Sequence, residues 1–155
     1  MQPTRRAALG ALGGAGGTVA LTVFRKVLAA AGVVEKTAPE QVVGKLESLG
    51  LLESWTPAAR RALTVAAHFA YGTGIGAAFG LLRRERDDLA TETAVGGALG
   101  VLSWGLNWTV VLPLLGAHVP PWKQRSILVA LPILDHAVYG AVWGVLNRAL
   151  RSRIR

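Results

Sequence analysis

The chain has 155 residues, 52% of them hydrophobic, with 19 glycines, no cysteine and a formal charge of +8. Its mean hydropathy of +0.40 is too high for an ordinary soluble domain, and the lack of cysteine excludes a disulfide framework, thiolate catalysis and cysteine metal sites. A pI near 11.1 would suit a nucleic-acid binder, but the basic tail RALRSRIR has no aromatic platform beside it and fits anionic headgroups equally well, so nucleic acid is not an expected partner.

Four apolar stretches, 7–24, 62–82, 94–115 and 126–146, each approach or exceed the length that crosses a bilayer core, roughly 18 to 22 residues at about 1.5 Å rise. They lack the polar stripe of a soluble helix, so lipid or protein must surround them. Helix is the only open structure that satisfies every backbone amide there, and the alternation of a barrel strand is missing. The expected fold is all-α: a single domain over 1–155, a polytopic membrane protein with a four-transmembrane-helix bundle. Its main partner is the lipid bilayer.

The first stretch follows Arg5 and Arg6 in TRRAALGALGGAGGTVAL, which has the outline of a twin-arginine signal. Three further spans follow it, and Ala8 stands where a bulky residue is expected, so retention as a first span is the better reading. Arg25 and Lys26 close that stretch and are expected to snorkel to the headgroups.

The long hydrophilic segment 33–60 contains T-x-P-E, with Thr37 as cap, Pro39 where no amide partner is needed and Glu40 reaching back. Val42, Val43, Leu46 and Leu49 then recur at helical spacing. A short amphipathic helix is expected in this loop, packed on its own protein in preference to lipid. Thr56 and Pro57 open the second span, and Trp55 and Trp122 fall at the outer boundary. Between the later spans lie two tight connections, the charged RRERDD and the rigid GAHVPPWKQR.

The second and fourth spans repeat each other. HFAYGTGIG at His68 and HAVYGAVWG at His136 share H-x-x-Y-G-x-x-x-G at an offset of 68 residues, and Leu82 and Arg83 match Leu150 and Arg151. An internal two-helix duplication is implied, with convergence on helix-packing composition as the alternative. Basic residues set the orientation: Arg5, Arg6, Arg83, Arg84, Arg86, Arg148, Arg151, Arg153 and Arg155 all fall on one side, which places both termini in the cytoplasm of a bacterial inner-membrane protein.

Glycines four apart recur on every span: Gly10 and Gly14, Gly13 and Gly17, Gly72, Gly76 and Gly80, Gly96 and Gly100, Gly140 and Gly144. Such GxxxG faces let backbones touch, within the chain, in a homo-oligomer or against another membrane subunit.

The order of these features, a glycine-rich first span, a PEQVVGKL helix and spans carrying H-x-x-Y-G, resembles the YagU-like family of bacterial inner-membrane proteins over nearly the whole chain. The resemblance implies a small membrane protein with a link to acid tolerance, and it carries over no catalytic residue.

What chemistry remains lies in His68, Tyr71, Asn107, Asp135, His136 and Tyr139, all about 8 to 13 residues in from their outer helix ends. Asp135 must face the bundle, because a lipid-facing carboxyl costs about 2.5 to 3.5 kcal/mol, and His68 or Asn107 is its expected partner. His136 should point away from that bond by the helical turn, and Pro132 should bend the fourth helix. The cluster is either a structural clip between helices or a proton-responsive site, the second making the protein a proton or small-solute pathway. No metal spacing, nucleophile elbow or phosphate loop occurs, and Gly72-x-Gly74-x-Gly76 has no strand before it. No cofactor is expected, and an intramembrane enzyme ranks behind the other two readings.

Overall fold

The computed structural model describes residues 2–32, 37–83 and 88–153, the side chain of Leu128 excepted. Arg84, Arg86 and Arg155 lie outside the described residues. Four helical stretches, Pro3–Ala30, Pro57–Leu82, Leu89–Leu114 and Val129–Ser152, are long and apolar enough to cross a membrane. With no strand among the described residues, the chain is an all-α multi-pass membrane protein built as a four-helix bundle.

Helix α1 (Pro3–Ala30) begins on a proline, which gives up only an amide that would have no partner anyway. It runs well past Phe24, so Arg25 and Lys26 lie inside the helix and not at its end. Helix α2 (Ala38–Ser48) starts with a full capping box: Thr37 Oγ1 accepts from the Glu40 amide, and the Glu40 carboxylate accepts from the Thr37 amide. Its Ala38 and Val42 rest on Trp104, Trp108 and Leu112. The loop helix is therefore a lid on the bundle.

Helices α3 (Pro57–Leu82) and α4 (Leu89–Leu106) are capped by the side chains of Thr56 and Asp88. Beyond α4 the chain widens into a π-helical segment, Asn107–Val111, before one more turn, α5 (Leu112–Leu114). Pro113 gives the reason. It offers no N–H to the carbonyl of Thr109 and its ring crowds that turn, so the register shifts by one and Leu112 N–H bonds to Asn107 O instead. Helix α6 (Ser126–Ser152) continues unbroken through Pro132.

Around the bundle the order is α3, α1, α6, α4. Lipid tails are as apolar as leucine, so close backbone contact and hydrogen bonds must hold these helices together. A methyl group at Gly14 would strike the Gly72 carbonyl, one at Gly76 the Gly10 carbonyl, and one at Gly80 the Arg6 carbonyl. The other pair is as tight: Gly96 meets the Gly140 carbonyl, Gly100 the His136 carbonyl and Gly144 the Glu92 carbonyl. The glycine faces thus seat neighbours within the chain.

The same register relates the two pairs. Gly14 lies on Gly72 as Gly96 lies on Gly140, and Gly10 opposes Gly76 as Glu92 opposes Gly144. Continued along the helices, this register takes Gly13, Gly16 and Gly17 of α1 to Val95, Ala98 and Leu99 of α4. The difference matters. On α1 the three glycines receive Trp143, Leu146 and Tyr139 of α6, whereas on α4 the side chains hold α3 off. Consequently α1 and α6 pack closely and α3 and α4 do not. Leu99 and Ile75, packed on Leu21, Phe79, Tyr139 and Trp143, fill the half of this gap away from α2.

Candidate functional site

The sequence places all six polar residues at similar depth on the second, third and fourth spans, and the fold brings five of them, all but Asp135, around one cavity. Arg25 joins them. It is five residues from the end of α1 and only 7% exposed, and its Nη1 donates to Asp135 Oδ2 at 2.8 Å. The other carboxylate oxygen of Asp135, Oδ1, accepts from His136 Nδ1 at 2.6 Å, and Asp135 is 1% exposed.

Three expectations, on the partner of Asp135, the snorkelling of Arg25 and the direction of His136, do not hold. Asp135 bonds neither His68 nor Asn107, since a buried carboxylate is best served by a cation and α1 is long enough to carry Arg25 inward in place of snorkelling. Nor does His136 avoid the bond. Its ring turns back along the helix, where Nδ1 also lies 2.8 Å from the Pro132 carbonyl. Both neighbours of Nδ1 are acceptors, so that nitrogen carries the proton and a neutral ring suffices.

The rest of the predicted cluster has separate partners. His68 Nε2 is 3.4 Å from Thr22 Oγ1, whose own proton goes to the Thr18 carbonyl at 2.7 Å, which makes Nε2 the donor. Tyr71 donates to the Ser103 carbonyl at 3.2 Å and Tyr139 to the Gly72 carbonyl at 2.6 Å. Asn107 opens the π segment.

Between α3 and α4 lies a cavity of about 250 Å³. Arg25, His68, Tyr71, Asn107, His136 and Tyr139 all line it, amid apolar walls that include Leu21, Trp108, Val111 and Leu112. Thr37 to Pro39 and Val42 of the lid cover it. On α6 its lining runs no further than Tyr139; one turn on, Trp143, fully buried, sits edge-on to Phe79 with ring centres 5.4 Å apart and donates to the Gly10 carbonyl at 3.0 Å. Beyond the membrane-spanning part, His118 lies edge-on to Trp108 at 5.3 Å, and burial lowers its pKa below the ordinary 6.5.

A second polar group, missed by the sequence reading, occupies the opposite end of the bundle. Glu92 is buried and pairs with Arg83 at 2.7 Å, Asn147 is wholly buried, and Arg151 donates to the Gly80 carbonyl at 3.4 Å. Arg6 donates to the carbonyls of Gly80, Leu81 and Arg83. A signal was present: Asp135, Tyr139, Trp143, Asn147 and Arg151 recur at every fourth residue, so one buried stripe of α6 carries a hydrogen-bonding group on each turn. Among the described residues no three acidic or imidazole side chains gather as a metal site. No family model, curated protein or solved structure matches this chain.

Proposed function

We propose that this chain is a non-catalytic protein of the bacterial inner membrane, with both termini cytoplasmic, that acts by binding within the bilayer and so supports membrane assembly or acid tolerance. One observation carries the reading. The intramembrane carboxylate, the natural seat of a proton relay, has both oxygens engaged, one by Arg25 and one by His136. Such a group clips α1 to α6 and braces the wall of the cavity. The resemblance to YagU-like proteins points the same way, and the GxxxG faces are already used inside the chain.

A second reading, a proton or small-solute pathway, has one observation in its favour. The polar stripe of α6 continues past Trp143 to Asn147, whose amide has no partner among the described residues, and to the Glu92 end of the bundle, where Oε2 has none either. Proton flux into liposomes that hold the purified protein decides between the two. At acid external pH the binding reading expects flux equal to that of empty liposomes, and flux that disappears in Asp135→Asn would overturn it.

A further inference from the structure

The cavity between α3 and α4 exists because the two halves of the chain part company there. Val95, Ala98 and Leu99 replace the glycines that close the corresponding junction between α1 and α6, and Tyr71, the counterpart of the sealed Tyr139, is 39% exposed in the resulting gap. Because α3 and α4 are neighbouring spans that do not pack on each other and Tyr71 is exposed between them, the gap opens on the side of the bundle. A molecule dissolved in the bilayer can enter it without crossing an aqueous phase.

Charge and hydrogen bonding narrow the occupant. Among the described residues the one cation lining the cavity, Arg25, is already neutralised by Asp135, so an anionic head would compete there with a buried carboxylate. Donors, in contrast, are in surplus. Arg25 Nε and Trp108 Nε1, both buried on lining residues, have no acceptor among the described residues, and the Asn107 amide lies on the same wall. A buried donor without a partner is left desolvated and uncompensated, so an acceptor oxygen brought in by a ligand would be favoured. Apolar Leu21, Val111, Leu112 and Leu115 suit the start of a hydrocarbon chain, and a volume of about 250 Å³ holds a small head and the first part of that chain but not a whole phospholipid.

We infer that this lateral cavity binds an uncharged single-chain lipid through the carbonyl oxygen of its head, with the chain leaving between α3 and α4. The inference rests on the reading of the protein as one that binds within the bilayer. The lid helix α2 then covers the head, and the π-helical turn from Asn107 to Val111 forms the wall against it, a distortion of the kind that marks functional sites.

The test is photo-crosslinking in proteoliposomes with a monoacylglycerol that carries a diazirine near its ester, and peptide mapping of the product. Label is expected around Ala67 of α3, Ser103 of α4 and Val111 of the π segment, displaced by plain monoacylglycerol and not by the same concentration of oleate. Ala67→Phe, which fills the mouth, should remove the displaceable label, and Val111→Trp should do the same if the first variant melts early. Asn107→Leu should weaken binding by up to about tenfold, the loss of one hydrogen bond. Equal displacement by oleate would overturn the uncharged head while leaving intramembrane binding intact. No displaceable label in the gap, or label indifferent to both filling variants, would overturn the site and the binding reading with it.

Discussion

Tyr71 and Tyr139 hold equivalent places in the two halves of the chain and meet opposite fates: Tyr139 is 4% exposed and bonded to the Gly72 carbonyl, whereas Tyr71 is 39% exposed and reaches only the Ser103 carbonyl across an open gap. The difference follows from the residues opposite, glycines on α1 and larger side chains on α4. Tyr139→Phe should therefore lower stability by about 1 kcal/mol, and Tyr71→Phe by much less, because only the first bond is fully shielded. Unfolding in detergent measures both, and equal effects would contradict the asymmetry.

Glycine substitutions sort by what a side chain would meet. Leucine at Gly96 or Gly144 would collide with backbone carbonyls of the neighbouring helix, but nothing lies within 4 Å of the Cβ position at Gly74. The first two variants should lose roughly 1 to 3 kcal/mol or fail to assemble. Gly74→Leu should melt as the parent does.

Acid should loosen the start of α4. Asp88 caps that helix, and the hydrogen bonds from Thr91 hold its carboxyl below the ordinary 3.8. A depressed pKa means that the cap's contribution is complete above 3.8 and is lost as pH falls through the lower, folded value. The Thr91 amide resonance should titrate below pH 3.8 in the parent and stay flat in Asp88→Asn, which keeps an acceptor without a titrating proton. Titration of that amide at or above 3.8 would refute the cap's role.

Orientation rests on sequence alone. Nine of the 17 basic residues fall in three short segments on one side, so reporters fused after Arg86 and after Arg155 should both read cytoplasmic and one inserted near Trp55 should not. A periplasmic signal at either of the first two positions reverses the topology.

Much of this architecture is legible from residues, and what is not has physical causes. The spans, the Thr37–Glu40 capping box and the common depth of His68, Tyr71, Asn107, Asp135, His136 and Tyr139 follow from local rules, because helical rise and cap chemistry do not depend on neighbours. The burial of Arg25 is not legible, since hydropathy marks where an apolar run ends, not where the helix ends or which way a long side chain turns. Glu92 and Asn147 escaped notice for a related reason. A single polar residue near a span's edge looks solvated until packing shows that it faces a neighbouring helix. The π segment had a visible cause in Pro113, yet whether a proline bends, breaks or re-registers a helix depends on the wall it faces; α6 passes Pro132 without any such break.

Arg25 and Asp135 form a clip joining the first helix to the last, and a double-mutant cycle on the pair measures what it holds. Arg25→Met and Asp135→Leu, alone and together, are compared by equilibrium unfolding in one detergent. Each single change should cost about 3 to 5 kcal/mol, because it strands the other charge in the bundle, and the double variant should recover most of that loss. Costs that simply add, with a coupling below about 0.5 kcal/mol, would mean that the two residues act independently and that the clip does not exist.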